Sequence, residues 1–367
     1  MARMRVAIVG AGASGLTAGR WLAAHGHEVT VYEKSRGYGG RAATRRTHDC
    51  VFDHGAQYLK LPDDAPAVRR LVLDELPRED LVDIGRPVWT FDRDDRVKPG
   101  DEEGHGEAKW TYAAGLTTLG KRLADVAGLT VRLETWVGRL ERVGKGFRLY
   151  DTNGAALGEA ERVLLAIPAP QALRLLRDSE LGARGRTASD ALARAPYHSM
   201  LSVMLGFSTP AEGTVFAGGS RDDPRPYYAL VNTDRGHDIS WLAIENDKGP
   251  TRAPAGVLAV LAQMAVPFSE AHYDDAAGEL AVLVAPMVER LLGAAIGAPL
   301  WHDVARWRYA RPAETLDPAE INRDHQGLLL VGDYVTAWRL HSALQAGLDV
   351  APRVTSDEFG CRLIPPL

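Results

Sequence analysis

The sequence predicts an α/β fold in which a parallel-sheet layer, assembled from both ends of the chain, is interrupted by a mixed α+β module. Three observations predict it. The chain opens with a strand, a glycine-rich turn and an Ala/Leu-rich helix: Val6-Ala-Ile-Val9, Gly10-Ala-Gly12-Ala-Ser-Gly15 and the stretch through Trp21 and Leu22. A second buried-strand run, Leu328-Leu-Leu-Val331, ends on Gly332-Asp333 near the far end. Between them, strand-like and helical runs follow a rhythm that suits a mixed sheet covered by helices on one face.

Each opening element has a physical reason. Gly10 permits a tight turn, Gly12 lets backbone approach a pyrophosphate, and Gly15 lets the helix pack on the strand. The helix N-terminus, with Ala13 and Ser14, directs its amides at the phosphates. The next strand, Val29-Thr-Val-Tyr32, ends on Glu33 beside Lys34. Strand, glycines, helix and acid together form the context of a Rossmann-type dinucleotide fingerprint. Glu33 can accept a ribose hydroxyl and would repel a 2′-phosphate, which disfavours NADP and leaves NAD and FAD.

Two further pieces favour FAD. Gly39, Gly40 and Arg41 follow the second strand, and an arginine there can pair with pyrophosphate oxygens. Asp333 can take a ribityl hydroxyl, which NAD lacks. Ser342 opens a helix through Gln345 and Ala351, stopped by Pro352, whose dipole would stabilise negative charge on a reduced flavin. No second fingerprint is present: Gly293-x3-Gly297 lies in an Ala-rich stretch without a preceding strand and suits close helix packing.

With elements at both ends, the FAD-binding domain is expected to be discontinuous, covering 1–60, 108–170 and 321–354. The substrate domain takes 61–107 and 171–320, and 355–367 forms a tail. In the first, a helix is expected over 114–126 and strands over 129–133, 137–143, 147–150 and 162–167. In the second, strands over 201–207, 227–232 and 239–245 alternate with helices near 254–265 and 277–296. Residues 92–106 read as a charged hairpin tip, with a substrate lid as the alternative.

Composition narrows the function. A net charge of −5 gives no footprint for nucleic acid. The two cysteines, Cys50 and Cys361, lack metal-ligand spacing and fit a reducing, cytoplasmic setting. No signal peptide is expected before the first strand, and the apolar stretch at 257–268 is too short to cross a bilayer. A small-molecule substrate is therefore expected, with no membrane, nucleic-acid or metal partner. Oligomeric state is not legible.

Oxidation by hydride transfer to flavin N5 needs orientation more than a nucleophile, and no triad or general base stands out. Asp53-His54-Gly55-Ala56-Gln57-Tyr58 follows the arginine loop and is placed beside the flavin ring. There Gly55 and Ala56 allow close approach, Gln57 donates to a flavin carbonyl, and His54 is structural. Trp307 and Tyr309 alternate on one strand face and either wall a pocket for a flat heteroaromatic or fill core. Tyr228, Trp241 and Asn246 are further pocket candidates. His341 stands at the helix entry.

These stretches resemble the glutathione-reductase-type FAD fold of the flavin amine oxidase superfamily and, more narrowly, renalase and its bacterial relatives. The carrying residues are Gly39-Gly-Arg-Ala-Ala-Thr-Arg-Arg46, Phe52-Asp-His-Gly-Ala-Gln-Tyr58, Ala166-Ile-Pro-Ala-Pro-Gln171, Val266-Pro-Phe268, Arg306-Trp-Arg-Tyr-Ala310 and Gly332-Asp333. The resemblance implies non-covalent FAD, adenine paired to backbone at Val137, and a substrate stacked on the flavin beneath the second domain. Renalases oxidise isomeric dihydronicotinamides of NAD(P)H and pass the electrons to oxygen. Asn246 and Gln263 align with pocket residues, and Gln263 stands where the animal enzyme is expected to carry His. Other readings stay open: a quinone as acceptor, an amine oxidase, a flavin scaffold without turnover, or a non-redox sugar-nucleotide mutase using Arg221, Arg225 and Arg235.

Overall fold

The computed structural model describes residues 2–100, 107–323, 325–336 and 339–356. Apolar runs from both ends of the chain meet in one sheet. Its strands Leu328–Leu330, Arg162–Leu165, Arg5–Val9, Glu28–Tyr32 and Leu129–Arg132 lie side by side in that order, all parallel. Val6 and Ile8 pack with Leu16 and Leu344 on one face, while Ala7 and Val9 pack with Leu140 and Leu176 on the other. Burial on both faces explains why these strands read as unbroken apolar runs. The helix Ala13–Ala24 crosses Leu340–Thr355, and Gly347 permits it: a Cβ there would collide with Ser14 and Thr17.

An antiparallel meander, Val137–Val143, Gly146–Asp151 and Ala156–Ala160, flanks this layer. Its third strand was not anticipated, since Ala156-Leu-Gly-Glu-Ala160 carries few of the branched and aromatic residues that mark strands.

The second layer is a seven-stranded sheet in the order Trp301–Pro312, Tyr197–Ser208, Val257–Met264, Ile239–Ile244, Ala229–Asn232, Val88–Phe91, Val97–Lys98. All its pairings are antiparallel except that of Ala229–Asn232 with Val88–Phe91. One face buries Leu201, Val203 and Val260 against the helix Ala277–Leu292. The other turns Met204, Leu261 and Ala305 toward Phe52. The mixed α+β layer beside a Rossmann-type layer is the architecture the sequence predicted.

Four expectations need correction. The helix expected near 254–265 is the strand Val257–Met264, which pairs on both edges and buries both faces, so its period of two is invisible in the sequence. The helix expected over 277–296 ends at Leu292, because Gly293 adopts φ +62° and caps it. That glycine stops a helix rather than packing one. Pro352 does not stop the last helix, which runs to Thr355: the proline lies in the final turn, and Val350, Ala351 and Val354 are held in the core. Finally, Leu61, Val68, Leu71 and Val72 share the core of Ile8 and Leu16. That part of 61–107 packs with the parallel layer, and only from Val88 does the segment join the second sheet. The 92–96 stretch turns between paired strands, and 101–106 lie outside the described residues, as does Cys361.

Candidate active site

A cavity of about 2810 Å³ runs between the two layers. At one end it is built from the glycine loop. Gly10 has φ +107°, and a Cβ there would press on the backbone of Ala166. Gly15 is closed off against Gly10 and Ala166, so it packs the helix and does not line the cavity. Gly12 is different: a Cβ there would meet nothing within 4 Å, so its backbone faces open space. No side chain caps the helix that follows, and its first turn holds no acid. The N-terminal amides at Ala13 and Ser14 are thus left for an anion.

Glu33, 8% exposed, turns its carboxylate into this loop. Oε2 accepts from the Ala11 amide at 2.9 Å, and Oε1 accepts from the Ser35 amide and hydroxyl at 2.8 and 2.7 Å. A carboxylate offers about four acceptor positions, so one remains for a hydroxyl. Lys34 lies over the Trp136 ring at 5.1 Å, and Val137 lines the same end. The Gly39–Arg41 turn is clamped on by Gly39 N donating to Ala11 O at 2.9 Å. Arg41 then reaches back across the layers. Its Nη1 and Nη2 donate to the two oxygens of Asp333, the second at 2.8 Å, and Tyr197 Oη donates to Asp333 Oδ1 at 2.7 Å.

The stretch from Asp53 to Tyr58 forms the middle of the cavity. Gly55 cannot carry a Cβ, which would collide with the Arg41 carbonyl, and Trp307 closes the other side at 3.3 Å. The His54 carbonyl accepts from Ser202 Oγ at 2.7 Å and Trp307 Nε1 at 3.0 Å, while Gln263 Nε2 donates to Gly55 O at 2.7 Å. Three strands of the second sheet thereby grip this loop. Burial lowers the His54 imidazole to about 4, so the ring is neutral near pH 7, and its Nδ1 has no hydrogen-bond partner among the described residues.

Behind the loop lies a group the sequence reading missed. Asp53, Glu245, Lys248 and Arg252 are all buried. Lys248 Nζ donates to Glu245 Oε1 at 2.7 Å and to Gln57 Oε1 at 3.1 Å. Arg252 bridges Asp53 at 2.8 Å and Glu245 at 3.2 Å. Burial opposes charge on Asp53, but Arg252 and Lys248 prevail and hold it below the usual carboxylate range. The alternating charges after the strand Ile239–Ile244 were visible in sequence. Their burial was not, because charged runs usually face solvent.

Residues 8–76 match the profile of an NAD(P)-binding Rossmann-like domain, and residues 84–355 match that of the flavin-containing amine oxidoreductases. The chain belongs to the flavin-containing amine oxidoreductase family. Among its relatives, a 4,4′-diapophytoene desaturase of Staphylococcus haemolyticus (strain JCSC1435) is 38% identical over 91 residues, 24% of this chain and 17% of that enzyme. The match therefore spans less than a fifth of the relative's length. Cyclohexylamine oxidase from Brevibacterium oxydans IH-35A superposes with a TM-score of 0.70 at 15% identity, covering 96% of this chain and 99% of that one. An Exiguobacterium sp. 255-15 protein assigned as a protoporphyrinogen oxidase gives 0.70 at 18% identity, covering 96% and 99%. At such identities these two establish the fold.

The residues of this amine oxidoreductase fit FAD. The uncapped helix N-terminus beside open Gly12 suits a pyrophosphate, the remaining lone pair of Glu33 a ribose hydroxyl, and the Gly55 stretch the close approach of a flat ring. Past that stretch Trp241, Trp307, Tyr309 and Gln263 line the cavity, with Tyr58 and Trp241 ring centroids 6.0 Å apart. Ala56 and Gly332 line it too.

Several expected site residues do not. Asn246 spends its amide on the backbone of Val257 and Ala259, both at 2.9 Å, fixing the edge of that strand. Tyr228 is fully buried and its phenol is raised well above its usual range by burial. Asn246 lies in the turn Glu245–Lys248 beyond the strand, and Tyr228 is packed behind the cavity-lining Trp241, ring centroids 6.3 Å apart. Ser342 and Gln345 also fall off the cavity, which meets their helix at Leu340, His341 and Ala343. The Gln345 amide donates to Asp349 at 2.8 Å. Gln57 lines the cavity, but its amide donates to Asp53 O and Gly55 O, so it has no proton to offer a flavin carbonyl. Of the arginines considered for a mutase, Arg225 is tied to Asp247 at 2.5 Å and Arg221 does not reach the cavity.

Proposed function

We propose that this amine oxidoreductase binds FAD non-covalently at Gly10–Ser14, Glu33, Val137 and the 53–58 stretch, and oxidises a small planar donor at a carbon beside nitrogen. Isomeric dihydronicotinamides are the donor class the site favours, as in the renalase-like enzymes the sequence resembles. The continuous cavity carries this reading. Sites for a single ligand occupy roughly 300–1,000 Å³, and this one, at about 2810 Å³, has space for a cofactor and a second molecule. FAD supplies a two-electron acceptor when bound.

The chain's own residues orient the donor and exclude water. Trp307 and Tyr309 offer aromatic faces to a flat ring, with Trp241 on the adjacent wall. The Gln263 oxygen is an acceptor for a carboxamide N–H. No residue has to remove a proton, which agrees with a buried, neutral His54. The donor would lose one C–H bond and its electron pair as hydride to bound FAD, becoming an aromatic cation, with oxygen or a quinone as the final electron acceptor.

Amine oxidation is the second reading, and family membership favours it. Anaerobic mixing of the FAD-loaded chain with dihydronicotinamide isomers, amines and a sugar nucleotide separates the readings through bleaching of the flavin absorbance. Rapid bleaching by the dihydronicotinamides alone is expected. Bleaching by amines alone would establish the second reading, and none with any donor would overturn both.

A further inference from the structure

The strand Trp301–Pro312 is the outer strand of the seven-stranded sheet and pairs along one side with Tyr197–Ser208. A long outer strand presents main-chain groups that need a partner. Its register is broken at one place. Arg311 lies opposite His198 and Trp307 opposite Met200, so Arg308, Tyr309 and Ala310 together face Ser199. A bulge of this kind bends a strand and re-aims its side chains, and bulges gather beside active sites. This one follows Trp307 directly and contains Tyr309, the two aromatic residues of this strand that line the cavity.

The partner of the bulge comes from the other layer. Arg41 Nη1 donates to Tyr309 O and Ala310 O, both at 3.2 Å. Neighbouring carbonyls of a regular strand point to opposite sides, so it is the bulge that offers both to one nitrogen. The same guanidinium pairs with Asp333, whose Oδ1 also accepts from Tyr197 Oη at 2.7 Å. Tyr197 begins the neighbouring strand, and its ring meets the Tyr309 ring edge-on with centroids 6.1 Å apart. On its backbone side, Arg41 accepts from Ala56 N at 2.9 Å through its carbonyl, and Gly39 N donates to Ala11 O at 2.9 Å. The Gly39–Arg41 turn therefore joins the glycine loop, the 53–58 stretch, Asp333 and the bulge. Asp333 matches the charge of Arg41, so what the pair contributes is geometry.

We propose that Arg41, Asp333 and Tyr197 form a latch between the layers that pins the 308–310 bulge, with Tyr197 a positioning residue for Trp307 and Tyr309. The latch sets how far that aromatic wall stands from the 53–58 stretch. The inference rests on the proposed function only for what the wall receives.

The test uses the FAD-loaded full chain and Tyr197→Phe, which keeps the ring and removes the hydroxyl. FAD affinity should stay within about twofold of the parent. Hydrogen exchange needs no donor: amides of 305–312 should exchange about tenfold faster in the variant, while those of 5–9 and 28–32 stay unchanged. Arg41→Lys keeps a charge beside Asp333 but cannot span both carbonyls as well. It should act in the same direction, and the double variant should exchange no faster than the worse single one, because one latch breaks once. Additive effects, or unchanged exchange in Tyr197→Phe, would overturn the latch. Anaerobic bleaching by an isomeric dihydronicotinamide riboside or by benzylamine tests positioning. With whichever bleaches the parent, the limiting rate of Tyr197→Phe should fall about tenfold, with the half-saturating concentration changed by less than about twofold. Faster exchange with an unchanged limiting rate would overturn the positioning role and leave the proposed function standing. A parent that neither donor bleaches would overturn the proposed function, and the exchange rates alone would then uphold or overturn the latch.

Discussion

Both oxygens of the Glu33 carboxylate already serve the protein, holding Ala11 and Ser35, and the proposed function has the same charge receive a ribose hydroxyl. Glu33→Gln keeps the shape and removes the charge. FAD affinity should then fall by about 1.5–3 kcal/mol, the size of a hydrogen bond to a charged group. Fluorescence titration of the FAD-free chain measures it, and an unchanged dissociation constant would put the ribose elsewhere. His54 makes a prediction of another kind. Its pKa is about 4 in the folded chain, through burial, against about 6.5 unfolded. Between those values the unfolded chain binds more protons, so stability is full above the upper one and declines as pH falls toward the lower. The loss reaches on the order of 3 kcal/mol. Urea midpoints taken from pH 7 to 4 should show it in the parent and much less in His54→Gln. Parallel curves for the two proteins would contradict the assignment. At this scale the sequence was most readable where a residue's role is local. Gly10, Gly12, Gly15 and Glu33 are interpretable from spacing alone, whereas the orientation of the Gln57 amide, its NH2 spent on Asp53 O and Gly55 O and its oxygen held by the distant Trp241 and Lys248, is not.

The Asp53–Arg252–Glu245–Lys248 group joins elements rather than residues. It ties the hairpin strand Cys50–Asp53 to the turn Glu245–Lys248 and, through Gln57, to the cavity wall. Removing one member of such a buried group strands the others' charges. Lys248→Met should cost about 3–5 kcal/mol, and adding Glu245→Gln should recover part of it. Denaturation of the two variants and their parent tests this; a single variant within about 1 kcal/mol of the parent would show that the group stabilises little. Elements were legible where amphipathic periodicity or a motif marks them, as for the strands Arg5–Val9 and Glu28–Tyr32. Val257–Met264 was not, because a strand buried on both faces shows the same apolar run as a buried helix. Tertiary burial likewise carried the last helix past Pro352.

At the scale of the molecule, two layers meet over one cavity, and the division of labour between them follows from how they are built. The parallel layer offers backbone, with its glycines and helix N-terminus, and so suits a cofactor. The seven-stranded layer offers side chains at alternate positions, and so decides the donor. The first could be read from the sequence because backbone sites have fixed spacing. The second could be read only in part, because strand register and packing decide which side chains reach the cavity: Trp241, Gln263, Trp307 and Tyr309 do, while Asn246 is held in a turn and Tyr228 is covered by Trp241. Among the described residues no helix is long and apolar enough to cross a membrane. The central claim is that donor oxidation takes place between the 53–58 stretch and the strand Trp301–Pro312. The most direct measurement is the anaerobic bleaching rate of Trp307→Ala with its FAD content determined alongside. The account predicts full FAD occupancy and a rate at least about tenfold slower, a loss of roughly 1.4 kcal/mol of barrier lowering. Full occupancy with an unchanged rate would contradict it.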